Sequence, residues 1–336
     1  MLIGLPLADL ALLLVAGVAL DLLLGEPRRW HPLVGFGRLA TALEARLNLG
    51  RWRLARGALA WMLAVLPFTL LAWWLAAQAG MLMQVLVHVL LLYFALGLRS
   101  LREHTLPIFR ALQAGELDAA RRLTGRIVSR DTLDASPSDL AKAGAESLLE
   151  NGNDAVFGTL FWFLVAGGPG ALLFRLANTL DAMWGYRSER FNLFGRFAAR
   201  IDDVLNLLPA RLTALSYVLL APRGGHARAW HCWRTQAPSW SSPNAGPVMA
   251  SGAGALGIAL GGAARYDGVL EARPPLGLGR AAAPEDILRA WRLVSGTALM
   301  WVLLVCAAAL LAVGVGVGVG VGVGVGVGVG VGAGHA

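Results

Sequence analysis

Long apolar runs separated by short polar stretches dominate the chain. Residues 2–24 (LIGLPLADLALLLVAGVALDLLL) form the first, with Asp9 inside it and Asp21 at its end. No basic residue precedes Asp9, so this run reads as a retained first span rather than a cleaved signal. Residues 57–98 carry no formally charged side chain over 42 positions, room for two spans of ~20 residues turning at Gln78-Ala79-Gly80. Residues 155–176 are apolar but interrupted by Gly167-Gly168-Pro169-Gly170. Residues 204–222 could span or lie at the interface, and 293–312 make a final span. Residues 235–264 lack formal charge and include the small-residue run MASGAGALGIALGGAARY, which suits close helix contact or close approach to a ligand. The stretch 313–332 is ten Val-Gly repeats, so residues 313–336 read as a low-complexity tail.

The most polar stretch, 99–154, holds eight basic and nine acidic residues. Helical periodicity covers 101–128 and 138–150, and Ser136-Pro137 resembles a helix start. This predicts a helical hairpin inserted between spans. Seven arginines in 25–56, against Glu26 and Glu44, place that loop and the 99–154 insertion in the cytoplasm and the N-terminus outside. A single crossing by 155–176 would then carry Arg187, Arg190, Arg196 and Arg200 to the outside, against the charge rule. Two half-helices turning at Gly167–Gly170 keep both ends on the cytoplasmic side; such a re-entrant segment must be covered by protein or water. The expected fold is all-α: a polytopic integral membrane protein with a cytoplasmic helical hairpin and a re-entrant segment, residues 1–312 forming one membrane-embedded catalytic domain.

Composition agrees. The chain is 57% hydrophobic and 15% charged, where a soluble domain carries about a quarter charged residues, and its mean hydropathy is +0.60. Arginine supplies 28 of the 29 basic residues behind the net charge of +8, Lys142 being the exception. A GC-rich genome explains that bias as well as any function does. Anionic lipid is the expected partner of the basic loops; nucleic acid is not, since no nucleic-acid motif is present. Cys232 and Cys306 form no C-x-x-C, which argues against a disulfide or zinc site.

Candidate chemistry gathers between residues 146 and 206. Glu146, Glu150 and Asp154 recur every four residues, one stripe on a helix, and like charges so placed call for a cation opposite them. Asn151 and Asn153 add neutral oxygens. Asn178 and Asp181 form a second pair, and Asp202, Asp203 and Asn206 a third cluster behind Arg196 and Arg200. Hard oxygen donors beside arginines suit a divalent cation and phosphate. Upstream, Gly25-Glu26-Pro27-Arg28-Arg29-Trp30-His31-Pro32 concentrates polar groups on a proline-stiffened loop, suited equally to ligand binding and to anchoring at the membrane surface. His88, alone in an apolar run, reads as a hydrogen bond between helices.

Four segments together resemble the CobD/CbiB family of cobalamin biosynthesis, the adenosylcobinamide-phosphate synthases. They are DLLLGEPRRWHPLVGFGR, ESLLENGNDAVFGTLFW, RLANTLDAMWGYRSERFNLFGRFAARIDDVLNLLPARLTA, and SPNAGPVMASGAGALGIALGG followed by Tyr266. The resemblance implies a multi-pass enzyme of the cell (inner) membrane with its active site on the cytoplasmic side. It implies a carbon–nitrogen ligase that joins adenosylcobyric acid to (R)-1-amino-2-propanol or its O-phosphate, using ATP with Mg²⁺, and contact with other corrinoid-pathway enzymes. No Walker A or G-x-G-x-x-G motif locates the ATP.

Amide formation through an acyl phosphate needs oxygen ligands for Mg²⁺: Glu146, Glu150 and Asp154 first, Asp202 and Asp203 second. It needs arginines for phosphate, for which Arg187, Arg196 and Arg200 lie nearest, and a base, either His31 or one of the carboxylates. Trp30, Trp184 and Tyr186 could pack on the corrin. Ser242 and Asn244 could bond its amides, and Asn151, Asn178 and Asp181 complete the candidate substrate contacts. Trp184 reads more readily as an interface anchor, and Arg196, Arg200 and Asp203 equally as interfacial ion pairs. The alternative function is a membrane transporter or sensor sharing the architecture without the chemistry.

Overall fold

The computed structural model describes residues 4–27, 31–78, 80–266 and 268–324, with side chains to residue 314. It is mainly helical. In chain order come α1 (Leu7–Leu24), α2 (Pro32–Leu47), α3 (Arg53–Gln78), α4 (Met81–Ala95), α5 (Leu98–Gln113), α6 (Leu117–Thr124) and α7 (Pro137–Gly152). Then follow α8 (Gly158–Trp184), α9 (Arg196–Leu205), α10 (Leu207–Leu219), α11 (His226–Gln236), α12 (Ala245–Leu256) and α13 (Glu285–Gly324). Five short strands lie between α12 and α13: β1 (Ile258–Gly261), β2 (Ala264–Tyr266), β3 (Val269–Glu271), β4 (Pro275–Leu276) and β5 (Arg280–Ala281). β1 runs antiparallel to β4 and parallel to β5, and β2 and β3 form a separate hairpin.

Five helical stretches are long and apolar enough to cross a membrane: Leu7–Leu24, Arg53–Gln78, Met81–Gln113, Pro137–Trp184 and Glu285–Gly314. Their outer faces carry bare apolar side chains, among them Leu66, Leu70 and Trp74 on α3, Leu82 and Leu86 on α4, and Leu303, Leu304 and Leu310 on α13. A belt of this extent is what lipid covers.

The pattern of polar and apolar residues anticipates most boundaries, and the differences have local causes. Residues 25–56 contain a full helix, α2, capped by the His31 ring, whose Nδ1 accepts the Leu33 N–H at 3.2 Å. The periodic stretch 101–128 is divided into α5 and α6 by the turn at Ala114–Gly115. α7 starts where Ser136-Pro137 predicts, fixed by a capping box between Ser136 and Asp139. The apolar stretch 204–222 is split at Asn206, where α9 hands over to α10. The small-residue run is not one helix: α12 stops at Gly257 and the chain enters β1. α13 continues through part of the Val-Gly repeat to Gly324.

α8 is two helices. Ala166 (φ −139°, ψ 22°) and Gly167 (φ 62°, ψ −154°) leave helical geometry, and the positive φ needs the glycine. The second half then runs back beside the first. A Cβ on Gly158 would overlap the Phe174 ring, and one on Gly170 would strike the Trp162 carbonyl. His88 of α4 accepts the Gly168 N–H on Nδ1 at 2.9 Å, pairing a donor that the break strips of its helical partner.

This doubling back joins two apolar cores. The first half puts Phe157, Leu160 and Phe163 among α1, α4, α7, α12 and α13. The second puts Leu176, Leu180 and Trp184 against α2, α3 and α9. Residues 154 and 178–181, far apart along the chain, thus meet at the open end of the fold-back.

Candidate active site

A π-turn, Asn153–Phe157, separates α7 from α8. Asp154 lies in its first turn, where the backbone leaves the α-helical spacing that Glu146 and Glu150 share. Such turns are frequent at functional sites. Glu146, Glu150 and Asp154 have three different environments.

Glu146 is buried and engaged on both oxygens. It accepts the Gly261 N–H at 2.7 Å, pairs with Arg273 at 3.2 Å, and pairs with Arg130. Arg273 also donates to the Tyr266 hydroxyl at 3.0 Å and lies over the Trp240 ring, 5.2 Å from its centroid. Glu146 therefore ties the loop before α7 to β1 and to the stretch after β3. The carboxylate of Glu150, the next turn along, makes no hydrogen bond or ion pair with another described residue. Asn151 is exposed and donates back to Ser147 of its own helix.

Asp154 accepts the amides of Asn153 at 3.0 Å and Asn206 at 2.7 Å. Asn153 also donates to Asn206 at 2.7 Å and accepts from Thr213 at 3.0 Å. On the returning half of α8, Asn178 donates to Asp202 at 3.2 Å. Asp202 is buried, and loss of water together with the nearby charges of Asp154 and Asp181 pushes its carboxyl well above the usual range. Burial also raises Asp203, while Arg200 and Arg187 pull it down. The Asp181 carboxylate has no hydrogen-bond partner among the described residues.

The side chains of Arg187, Arg196 and Arg200 line one pocket of about 450 Å³ with Tyr186, Asn192, Asp203, Ser241 and Pro243. All three arginines are exposed, and none makes an ion pair among the described residues; Arg196 reaches only the side-chain Oδ1 of Asn192, at 3.5 Å. Three cations around one hollow suit an anion. Trp184 does not join it. That ring is fully buried, 5.1 Å from Phe194, neither facing lipid nor open to a ligand.

Ser242 and Asn244 are committed to the protein. The Ser242 hydroxyl accepts the N–H groups of Asn244 at 3.3 Å and Ala245 at 3.1 Å, capping α12. Asn244 donates to the Asp203 carbonyl at 2.9 Å and accepts from Arg211. His31 lies away from the arginine pocket, 6.1 Å from Phe94 and near Glu26 and Arg175. Burial lowers its pKa, which favours the neutral, proton-accepting ring. Trp30 lies outside the described residues.

Among the described residues, no three His, Cys, Asp or Glu side chains stand together as a metal cage. The donor chemistry nonetheless suits Mg²⁺, which takes one or two carboxylates and fills its remaining positions with water and phosphate oxygens. The unengaged carboxylates Asp181, Asp203 and Glu150 fit that need better than Glu146, whose oxygens are taken by arginine.

Three site arginines escape the sequence patterns. Arg175 lies in the returning half of α8 near Asp154, and its Nε has no partner. Its signal was available: a lone arginine in an apolar run, three residues before Asn178. Arg130 and Arg273 had no comparable signal, because only the fold brings them to Glu146.

A family model described as "CobD/Cbib protein" matches residues 14–294. The chain is similar to the "Cobalamin biosynthesis protein CobD" of Chromobacterium violaceum, 56% identical over 308 residues, or 90% of this chain and 97% of that one. It is 57% identical over 294 residues to the protein of that name from Stutzerimonas stutzeri, covering 87% and 95% of the two chains. Against the Mycobacterium tuberculosis protein of that name, identity is 40% over 295 residues, 86% and 94% of the two. No solved structure matches the chain.

Proposed function

The chain belongs to the CobD/CbiB family and so serves cobalamin biosynthesis, and from that premise we propose that it is an ATP-dependent ligase of the cell membrane. It joins the propionate carboxyl of adenosylcobyric acid to the amine of (R)-1-amino-2-propanol or its O-phosphate. The observation carrying this reading is the pocket of three arginines, Arg187, Arg196 and Arg200, which make no ion pair among the described residues, against Asp203. Beside it lies the buried Asp154–Asp202 cluster. Anion-binding and acidic groups side by side suit a reaction that handles phosphate and an ammonium together.

A carboxylate and an amine do not condense unactivated in water. The propionate oxygen would attack the γ-phosphorus of ATP, forming a P–O bond while the bond from that phosphorus to the β,γ-bridging oxygen breaks and ADP leaves with the electron pair. The free amine then attacks the acyl carbon, the C–N bond forms, the C–O bond to phosphate breaks, and inorganic phosphate departs. Arg187, Arg196 and Arg200 neutralise and orient the phosphates, a contribution that comes from positioning and charge. Glu150 or Asp181, free of other partners, accepts the proton that the ammonium must lose. Asp181, Asp203 or Glu150 would hold Mg²⁺, which would supply further charge neutralisation at the phosphates. Asp154, Asn153 and Asn206 hold the acidic cluster in place.

The α8 fold-back serves this chemistry as a re-entrant segment. The second half, residues 168–184, is shorter than the ~20 residues a span needs, and the arginines after Trp184 favour the cytoplasmic face for its open end.

The test uses purified protein in detergent with adenosylcobyric acid, Mg·ATP and aminopropanol phosphate, with mass spectrometry for the amidated corrinoid. Product that disappears in Glu150→Gln supports the ligase and Glu150 within it. No product with either form of the amine, from folded protein, removes the ligase reading and leaves transport or sensing.

A further inference from the structure

Beside the arginine pocket lies a second hollow of different chemistry. It measures about 520 Å³ and is lined by Trp233, Trp240, Pro238, Pro247, Arg211 and Arg234. Ser241 and Pro243 line both hollows, so the segment 241–243 is the wall between them. That wall is anchored. Asn244 ties it to the Asp203 carbonyl and to Arg211, Ser242 caps α12, and Trp240 is held against the Arg273 guanidinium.

We propose that the Trp233–Trp240 hollow is the seat of the corrinoid macrocycle, with the reacting propionate crossing the Ser241–Pro243 wall into the arginine pocket. The assignment rests on the ligase reading and adds a place for its largest substrate. Indole and proline surfaces suit a broad, largely apolar ring. Arg211, Arg234 and the Ser241 hydroxyl offer donors to the amide carbonyls that edge such a ring. The reaction supplies the second argument. Both the γ-phosphoryl group and the amine must reach one carboxyl on the ring's periphery, so the macrocycle has to rest directly against the hollow that holds phosphate. Two hollows sharing one rigid wall meet that requirement.

The experiment measures adenosylcobyric acid binding to purified full-length protein by tryptophan fluorescence quenching and corrin absorbance, alongside KM for each substrate. Trp233→Ala is expected to weaken corrinoid binding at least about tenfold, as loss of an interfacial tryptophan commonly does. KM for aminopropanol phosphate should stay within about twofold. Arg234→Glu, at an exposed position, should weaken corrinoid binding in the same direction with the melting temperature unchanged. Arg196→Ala should give the opposite split, raising KM for the amine phosphate and sparing corrinoid affinity. Corrinoid affinity unchanged in both Trp233→Ala and Arg234→Glu overturns the assignment. Binding that follows the expected pattern in a protein that makes no amide upholds the seat and removes the ligase reading instead.

Discussion

The Nδ1 atom of His88, on α4, accepts the backbone N–H of Gly168 at the tip of the α8 fold-back, 2.9 Å away. This bond pairs a donor freed where α8 leaves helical geometry inside the apolar core. His88→Leu leaves the Gly168 donor buried and unpaired, a loss of ~1–3 kcal/mol. The variant should melt earlier in detergent, and His88→Asn should recover part of the difference. Equal melting of His88→Leu and wild type would show that the bond contributes nothing.

Glu146 should behave as a structural residue. Glu146→Gln leaves Arg130 and Arg273 without their counter-charge, and breaking a buried pair in this way costs ~3–5 kcal/mol. The expected result is poor yield and a lower melting temperature, with the Mg²⁺ dependence of any remaining activity unchanged. A well-folded Glu146→Gln with weakened Mg²⁺ response would return Glu146 to the list of metal ligands.

Asp154→Asn should abolish turnover while leaving membrane insertion intact. The amide keeps the size of the side chain but removes the charge that Asn153 and Asn206 are arranged to receive. Turnover near the wild-type rate would take Asp154 out of the mechanism.

The arginine pocket predicts a graded effect. Arg196→Ala removes one charged hydrogen-bonding group and should raise KM for the phosphorylated amine roughly tenfold or more. Arg196→Lys should recover only part of this, since lysine lacks the planar fork. The non-phosphorylated amine should be affected less if this pocket holds its phosphate.

Glu44 gives a pH prediction. Its carboxylate takes two hydrogen bonds from Arg190, at 3.0 and 2.5 Å, and one from Asn48 at 2.7 Å. The Arg190 bond chiefly holds its pKa below the ordinary 4.5. A group depressed in the folded state adds stability that is fully present above the unfolded value and fades as pH falls through the folded one. Melting temperatures of wild type and Glu44→Gln should therefore differ from neutrality down to about 4.5 and converge below it. A gap that persists unchanged at lower pH would assign the difference to packing.

The uncharged runs and the arginine-rich loops were enough to predict a mainly helical chain with helices long and apolar enough to cross a membrane, because a bilayer demands long apolar helices and punishes stray charge. The Gly167–Gly170 interruption marked the break in α8, since local backbone chemistry is written in local residues. The residue types of the site were equally legible: the aspartates, the asparagines and the three arginines of the pocket all stand out against an apolar background. Their division of labour was not. An even spacing of four made Glu146, Glu150 and Asp154 look alike, yet Asp154 falls in a π-turn and takes the amides of Asn153 and Asn206, and Arg130 and Arg273 neutralise Glu146 from 16 and 127 residues away in sequence. Likewise nothing in the apolar pattern of residues 155–176 says that Gly158 will lie against Phe174, or that His88 will meet the break. Which charges pair, and which stay free for a ligand, depends on contacts between distant segments, and those exist only once the chain has packed.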